Sequence, residues 1–319
     1  MKIKAAVKEN LPLKTSLLLL FFTLPIVLVP LILSKVKFNA LAYTADEFVT
    51  VWKTDNLGTS NSTSITIPTT GSGYNYDVDW TCDGTFDDIG VTGDITHDYQ
   101  TAGTYNVCIR GTFPQIYFNN DGDKEKILDV KQWGTIQWRS MQRAFFGANN
   151  LDVTATDTPN LTTVTNMEAM FSGTSSLVGN ASFNSWNTSN IVNFSSIFSD
   201  SPKFNQPIGA WDVSKATNFN AMFIGASAFN QPLNTWQTTN LTSMANMFNG
   251  ANSFNSSVAG WDTSKVTDMS SVFVRAQSFN QPLDSWDVSN VTTMSSMFSS
   301  AYTFNQPLNN WDVRKLATA

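Results

Sequence analysis

Residues 279–288 read FNQPLDSWDV, and nearly the same decapeptide stands at 204–213, 229–238 and 304–313. Trp186, Trp211, Trp236, Trp261, Trp286 and Trp311 are each 25 residues apart. Phe198, Phe223, Phe248, Phe273 and Phe298 keep that period, as do Phe204, Phe229, Phe254, Phe279 and Phe304. A fixed period constrains a chain more than any composition does, because every unit must make the same contacts with the units on either side. Two looser units precede these, around Trp133 to Leu151 and Pro159 to Leu177, spaced 26 and 27 residues. That makes eight units from about residue 128, the last one incomplete.

Each unit has two halves. In PLDSWDV the apolar positions Leu283, Trp286 and Val288 follow an L-x-x-L-x-L spacing, and the two-residue step from Trp286 to Val288 predicts a short strand. In VTTMSSMFSSAYTF the residues Val291, Met294, Met297, Phe298 and Ala301 fall at i, i+3, i+4 and i+7, which predicts a helix of about two turns. A helix that short does not survive alone and must be held by packing. The expectation is a repeat solenoid of leucine-rich-repeat type, a short parallel strand plus a short helix per coil, burying a column of Trp, Phe and Met. FNQP reads as the corner, where Asn205, Asn230, Asn255, Asn280 and Asn305 stack into a ladder that satisfies turn backbone groups.

The pattern FNQPLxxWDVSNVTxMxxMF resembles the repeat of the BspA-type leucine-rich-repeat surface proteins of bacteria, over about residues 128–319. The resemblance implies a surface-exposed or secreted protein with adhesion or protein-binding roles, and no catalytic residues to carry over. The cysteine that lipid anchoring needs near residue 42 is missing.

Residues 43–127 do not fit the repeat. NSTSITIP, YNYDVDW, DITHDY and GTYNVCIRG are short β-patterned runs between Gly, Asp and Ser clusters, which predicts a small immunoglobulin-like β-sandwich. DVDWTCDGTFDD followed by ITHDYQTAGTYNVCI resembles a PKD-type domain. Asp77, Asp79, Asp83, Asp87 and Asp88 form the densest carboxylate cluster, for which Ca²⁺ is one reading and ordinary turn chemistry the other. No other cofactor is suggested. Cys82 and Cys108 are the only cysteines. An exported pair can bridge, but strand alternation puts Cys82 with Tyr76, Val78 and Trp80 facing inward and Cys108 facing outward, which argues against a bridge. His97, the single histidine, has no nucleophile motif to serve.

Residues 1–42 stand apart: Lys2, Lys4, Lys8 and Lys14, an apolar run over 15–33, then Ala40 and Ala42 in an A-x-A arrangement. They read as a secretory signal or as an uncleaved N-terminal membrane anchor, and both put the remainder outside the cytosol. The chain holds 19 basic and 25 acidic residues; residues 1–42 take six Lys and one Glu, leaving 13 and 24, a net of −11. An acidic body argues against nucleic acid and anionic membrane as partners.

If the repeats have a working face, it includes the residue after each Trp: Asn187, Asp212, Gln237, Asp262, Asp287 and Asp312. These either cap the following turn or form a ligand-facing acidic strip. The slot before Trp varies instead, holding Ala210, Thr235, Gly260, Ser285 and Asn310. The expected function is a non-enzymatic extracellular or cell-surface protein that binds protein or glycan; the alternative is a structural surface-layer or matrix component. The Trp311 layer, left without a helical half, suggests end-to-end contact there.

Overall fold

The computed structural model describes residues 43–317; the signal or anchor reading of residues 1–42 lies outside them. Eight strands form: β1 (Phe48–Lys53), β2 (Ser64–Ile67), β3 (Asn75–Asp79), β4 (Asp88–Val91), β5 (Ile95–Asp98), β6 (Thr104–Thr112), β7 (Ile127–Gln132) and β8 (Asp152–Val153). Six of them make one mixed sheet in the order β4-β3-β6-β1-β7-β8, and β2 pairs with β5 in a two-stranded ribbon. β1 is antiparallel to both β6 and β7, whereas β7 and β8 run parallel.

This corrects the small immunoglobulin-like sandwich expected before residue 128. The sheet is not confined to that segment: β7 spans residue 128, and β8 belongs to the repeats. One core runs from Phe48 through Trp133 and Trp138 to Met297. At the junction Phe48 stacks on Trp133 at 5.8 Å and meets the edge of Trp138 at 5.1 Å.

Cys82 and Cys108 are bridged, with their Cα atoms 5.3 Å apart. Alternation places Cys108 correctly, since it faces away from Val107 and Ile109 into a small cluster with Val49. It fails for Cys82, because β3 ends at Asp79 and Cys82 sits at φ 51°, where the chain turns round to the opposite face. A pattern of period two carries no information beyond the end of its strand.

The leucine-rich-repeat-type solenoid is also overturned. Among the described residues there is no α-helix, and the only helical element is a single 3-10 turn, Ala181–Ser185. The tryptophan half is not a strand either. The segment expected to be helical is interrupted twice per unit by left-handed residues. In five successive units these are Ser196 and Asp200, Ala221 and Gly225, Asn246 and Gly250, Ser271 and Arg275, Ser296 and Ser300, all with φ between 54° and 74°. A right-handed helix cannot contain them. Each is the third residue of a four-residue turn, as in Phe194–Ile197 and Phe198–Ser201, closed by N–H···O bonds of 3.4 and 3.2 Å. Positive φ at that position is the mark of a type II turn.

Consecutive turns leave every second N–H free to bond the neighbouring unit. Phe194, Ser196, Phe198 and Asp200 donate to the carbonyls of Asn218, Asn220, Met222 and Ile224 at 2.6–3.1 Å. Parallel bridges join Asn193, Asn218, Ser243, Asp268 and Thr293 in series. The half that looked helical thus carries the pairing between units, as a ribbon of turns. Its apolar residues still point inward, because two four-residue turns repeat every four positions, close to the helical period.

Rings fill the space behind the ribbon. Phe198, Phe223, Phe248, Phe273 and Phe298 stack at 5.6–5.9 Å centroid spacing, and each lies 3.8–4.2 Å from the Phe six residues on. The indole N–H of Trp211, Trp236, Trp261 and Trp286 donates to a carbonyl 28 residues earlier at 2.7–3.1 Å, so a buried donor is satisfied at each step.

Candidate functional site

The residue after each tryptophan is a cap. Oδ1 of Asp212, Asp262, Asp287 and Asp312 accepts the backbone N–H two residues on at 2.9–3.2 Å, and Asn187 does the same for Ser189. Hydrogen bonds from the side chain and then the N–H of Ser214, Ser264 and Ser289 hold Asp212, Asp262 and Asp287 below the usual carboxylate range. The Arg314 guanidinium, 2.6 Å from Asp312, brings that carboxyl down to about 2. Gln237 does not cap; its amide reaches the Thr235 carbonyl at 3.4 Å.

A neighbouring column, three residues further on, alternates Asn and Lys. Lys215, Lys265 and Lys315 donate to the side-chain oxygens of Asn190, Asn240 and Asn290 at 2.6, 3.1 and 2.6 Å. Those amides donate in turn to the carbonyls of Thr162, Ser214 and Ser264 at 2.7–2.9 Å. Lysines therefore accompany Asp212, Asp262 and Asp312, while Asp287 has Asn290 in the equivalent place. The candidates at Asp212, Gln237, Asp262, Asp287 and Asp312 are brought into one column, but four of the five have an oxygen committed to the backbone.

The varied slot before Trp has a different setting. An open groove of about 380 Å³ is lined by Asn184, Pro207, Gly209, Ala210, Gln231, Pro232, Asn234 and Thr235. A second, of about 550 Å³, lies on the same edge of the preceding units, along Thr154, Thr156, Gly179, Asn180, Ser182 and Ser185. The walls are proline rings, small side chains, amides and hydroxyls, without an ionisable group. Such a surface offers hydrogen bonds and shallow apolar contact to a neutral ligand, and nothing for acid–base chemistry.

The aspartates weighed for Ca²⁺ are not gathered. Asp79 accepts from Thr81 and Gly84, Asp83 from Thr85, Asp87 from the Trp80 N–H, and Asp88 from the Trp80 indole. Asp77 accepts from Gly90 and pairs with Arg110 at 3.0 Å. Among the described residues no three His, Cys, Asp or Glu are grouped to hold a metal ion. His97 lies flat on Trp80 at 4.7 Å, with the Tyr99 ring edge-on.

Residues 139–258 and 231–319 match a family model described as "Mycoplasma protein of unknown function, DUF285". The chain belongs to this family. DUF285 is a family of BspA-like repeats, and the match begins just past the junction tryptophans, inside the first unit, and covers the repeats from there on. No curated protein and no solved structure matches the chain.

Sequence reasoning missed one site outside the DUF285 repeats. Lys126 is fully buried, and its ammonium is ringed by Ser60 O and Oγ, Asn61 O and Ser64 O at 2.7–3.1 Å, with Asp123 3.8 Å away. Asp123 is equally buried and accepts from Ser60 and Thr66. In DGDKEK both residues look like members of a solvated charge run, and no local signal separates them from their exposed neighbours. The cage ties β2 and its approach to the start of β7. Its role is structural.

Proposed function

We propose that this DUF285 chain is a non-enzymatic extracellular or cell-surface binding protein that uses the edge of its repeat stack to hold a protein or glycan. The observation carrying this reading is the groove along Pro207, Gly209, Ala210, Pro232 and Thr235. Its Gly209, Ala210, Asn234 and Thr235 stand at positions that change from unit to unit, whereas its Pro207 and Pro232, like the Phe, Trp and Asn columns, repeat almost unaltered. Varied residues on a rigid frame are the arrangement of recognition surfaces. Neutral lining favours a glycan or an uncharged peptide stretch, and the acidic body of the chain disfavours nucleic acid. The basic and apolar start of the chain supports export. The sheet that precedes the repeats acts as the base on which the stack is built.

The test is binding of the full chain to arrays of glycans and surface proteins, followed by titration of each hit. Saturable binding that Ala210→Trp and Thr235→Trp abolish, with the melting temperature unchanged, is the expected outcome. Filaments or lattices without a saturable ligand point to the structural surface-layer alternative and overturn the reading.

A further inference from the structure

The second left-handed position of the turn ribbon carries, along four successive units, Asp200, Gly225, Gly250 and Arg275. The four are in register, since their N–H groups donate to Ile224, Asn249, Val274 and Ser299 of the next units at 2.6, 2.8, 2.8 and 2.9 Å. At the ~4.8 Å spacing of parallel strands, Asp200 and Arg275 stand roughly 14 Å apart, too far to pair with each other. Both are exposed, and among the described residues neither has an ion-pair partner.

The glycines between them are not explained by backbone conformation alone. The same left-handed position holds Gly147 and Gly173 in the two preceding units but Asp200, Arg275 and Ser300 in others, so side chains are tolerated there. A Cβ on Gly250 would meet only the Gly225 backbone, at 3.4 and 3.5 Å, which is ordinary contact, whereas one on Gly225 would come within 2.6 Å of Asp200 Oδ1, because that carboxylate leans over Gly225. Gly225 makes room for the Asp200 carboxylate, and Gly250 leaves a step of bare backbone between that acid and Arg275.

Acid, glycine, glycine, base is self-complementary: reversed, it sets base against acid at both ends. We propose that two copies of the chain pair antiparallel across this face, about a two-fold axis between Gly225 and Gly250. Asp200, its carboxylate over Gly225, then meets the partner's Arg275, Arg275 meets the partner's Asp200, and neither Gly225 nor Gly250 adds a side chain of its own between the two ribbons. Sliding by one unit leaves all four charges over neutral residues, so the two ion pairs fix the register. The pairing uses the turn ribbon and is independent of what the groove beside the tryptophans binds.

Sedimentation of the full chain across a concentration series tests this. A monomer–dimer equilibrium that weakens with added salt is expected. Asp200→Arg and Arg275→Asp each set like charges opposite one another and weaken the dimer by about ten-fold or more. The double exchange Asp200→Arg/Arg275→Asp restores the complementarity and the dimer. Gly250→Asn, a residue suited to left-handed φ, places a side chain on the bare step and also weakens the dimer, with circular dichroism unchanged. A chain that stays monomeric throughout overturns the proposal. So does a dimer indifferent to the single reversals, or a folded double variant that fails to recover.

Discussion

Asn187, Gln237 and Asp287 occupy the same position in alternate units and show what that column asks of a side chain. Asn and Asp, with one methylene, place an oxygen within reach of the N–H two residues on; Gln, one methylene longer, does not. The cap requires an acceptor, and the charge adds to it. Asp262→Asn keeps the acceptor and should lower the melting temperature less than Asp262→Ala does. The pH response has a definite sign. Because the folded-state values of Asp212, Asp262 and Asp287 are depressed, their contribution is complete above the ordinary carboxylate value of about 3.9 and is lost as pH falls through the lower folded values. The melting temperature should be flat from about pH 7 to 5 and fall below about 4, less steeply once all three are Asn. The corner ladder makes the same point more strongly. Oδ1 of Asn205, Asn230, Asn255 and Asn280 accepts the backbone N–H of the next corner asparagine, each at 2.9 Å. Asn255→Ala orphans the Asn280 N–H and the Gln281 amide and should cost about 1 kcal/mol in chemical denaturation. Asn255→Asp keeps the acceptor and should cost less. This ladder was legible in the sequence, because a column of one polar residue at a corner has few other uses.

The turn ribbon was not legible, and the reason lies in its period. Val291, Met294, Met297, Phe298 and Ala301 fit a helix of 3.6 residues per turn and equally fit two four-residue turns in series. Apolar spacing reports only which residues face inward. What separates the two is the residue at the left-handed position, and in Ala221 and Ser271 nothing local advertises it, while Asn246 is a weak signal at best. Gly225 and Gly250 do carry that signal, since glycine inside a helical pattern is a warning. The two structures make opposite predictions for Ala221→Gly. In a helix interior glycine costs about 1 kcal/mol relative to alanine. At φ 57° the alanine itself is strained, so glycine should be neutral or stabilise, by up to about 1 kcal/mol. Denaturant melts of the two proteins decide by sign alone. Destabilisation by the full helical amount would remove the turn ribbon at this unit.

At the scale of the molecule, the sheet and the stack share strands and core, so that neither is closed without the other. β1 lies inside the sheet only because β7 covers one of its edges and β6 the other. β7 in turn carries β8, the first parallel step into the repeats, where Thr154 and Ala155 donate to the Val130 carbonyl at 3.1 and 3.0 Å. Trp133 stands at the meeting point: it stacks on Phe48, meets Phe145 edge-on at 6.2 Å, and meets the Trp186 ring at 5.5 Å. Composition changes abruptly near residue 128, which is why a boundary there looks natural in the sequence, while the tie across it depends on long-range pairing that no local pattern encodes. A chain cut after residue 127 keeps the disulfide and six of the eight strands, but it bares the β1 edge and one side of Phe48, and it loses every indole at the junction. Such an edge is a template for aggregation. The fragment 43–127 should therefore lack a cooperative melt and near-ultraviolet dichroism. Trp133→Ala in the full chain should cost about 3–5 kcal/mol and lower together the melting seen by probes in the sheet and in the repeats. Two transitions, with only one displaced by the substitution, would show instead that the sheet and the stack fold as separate units.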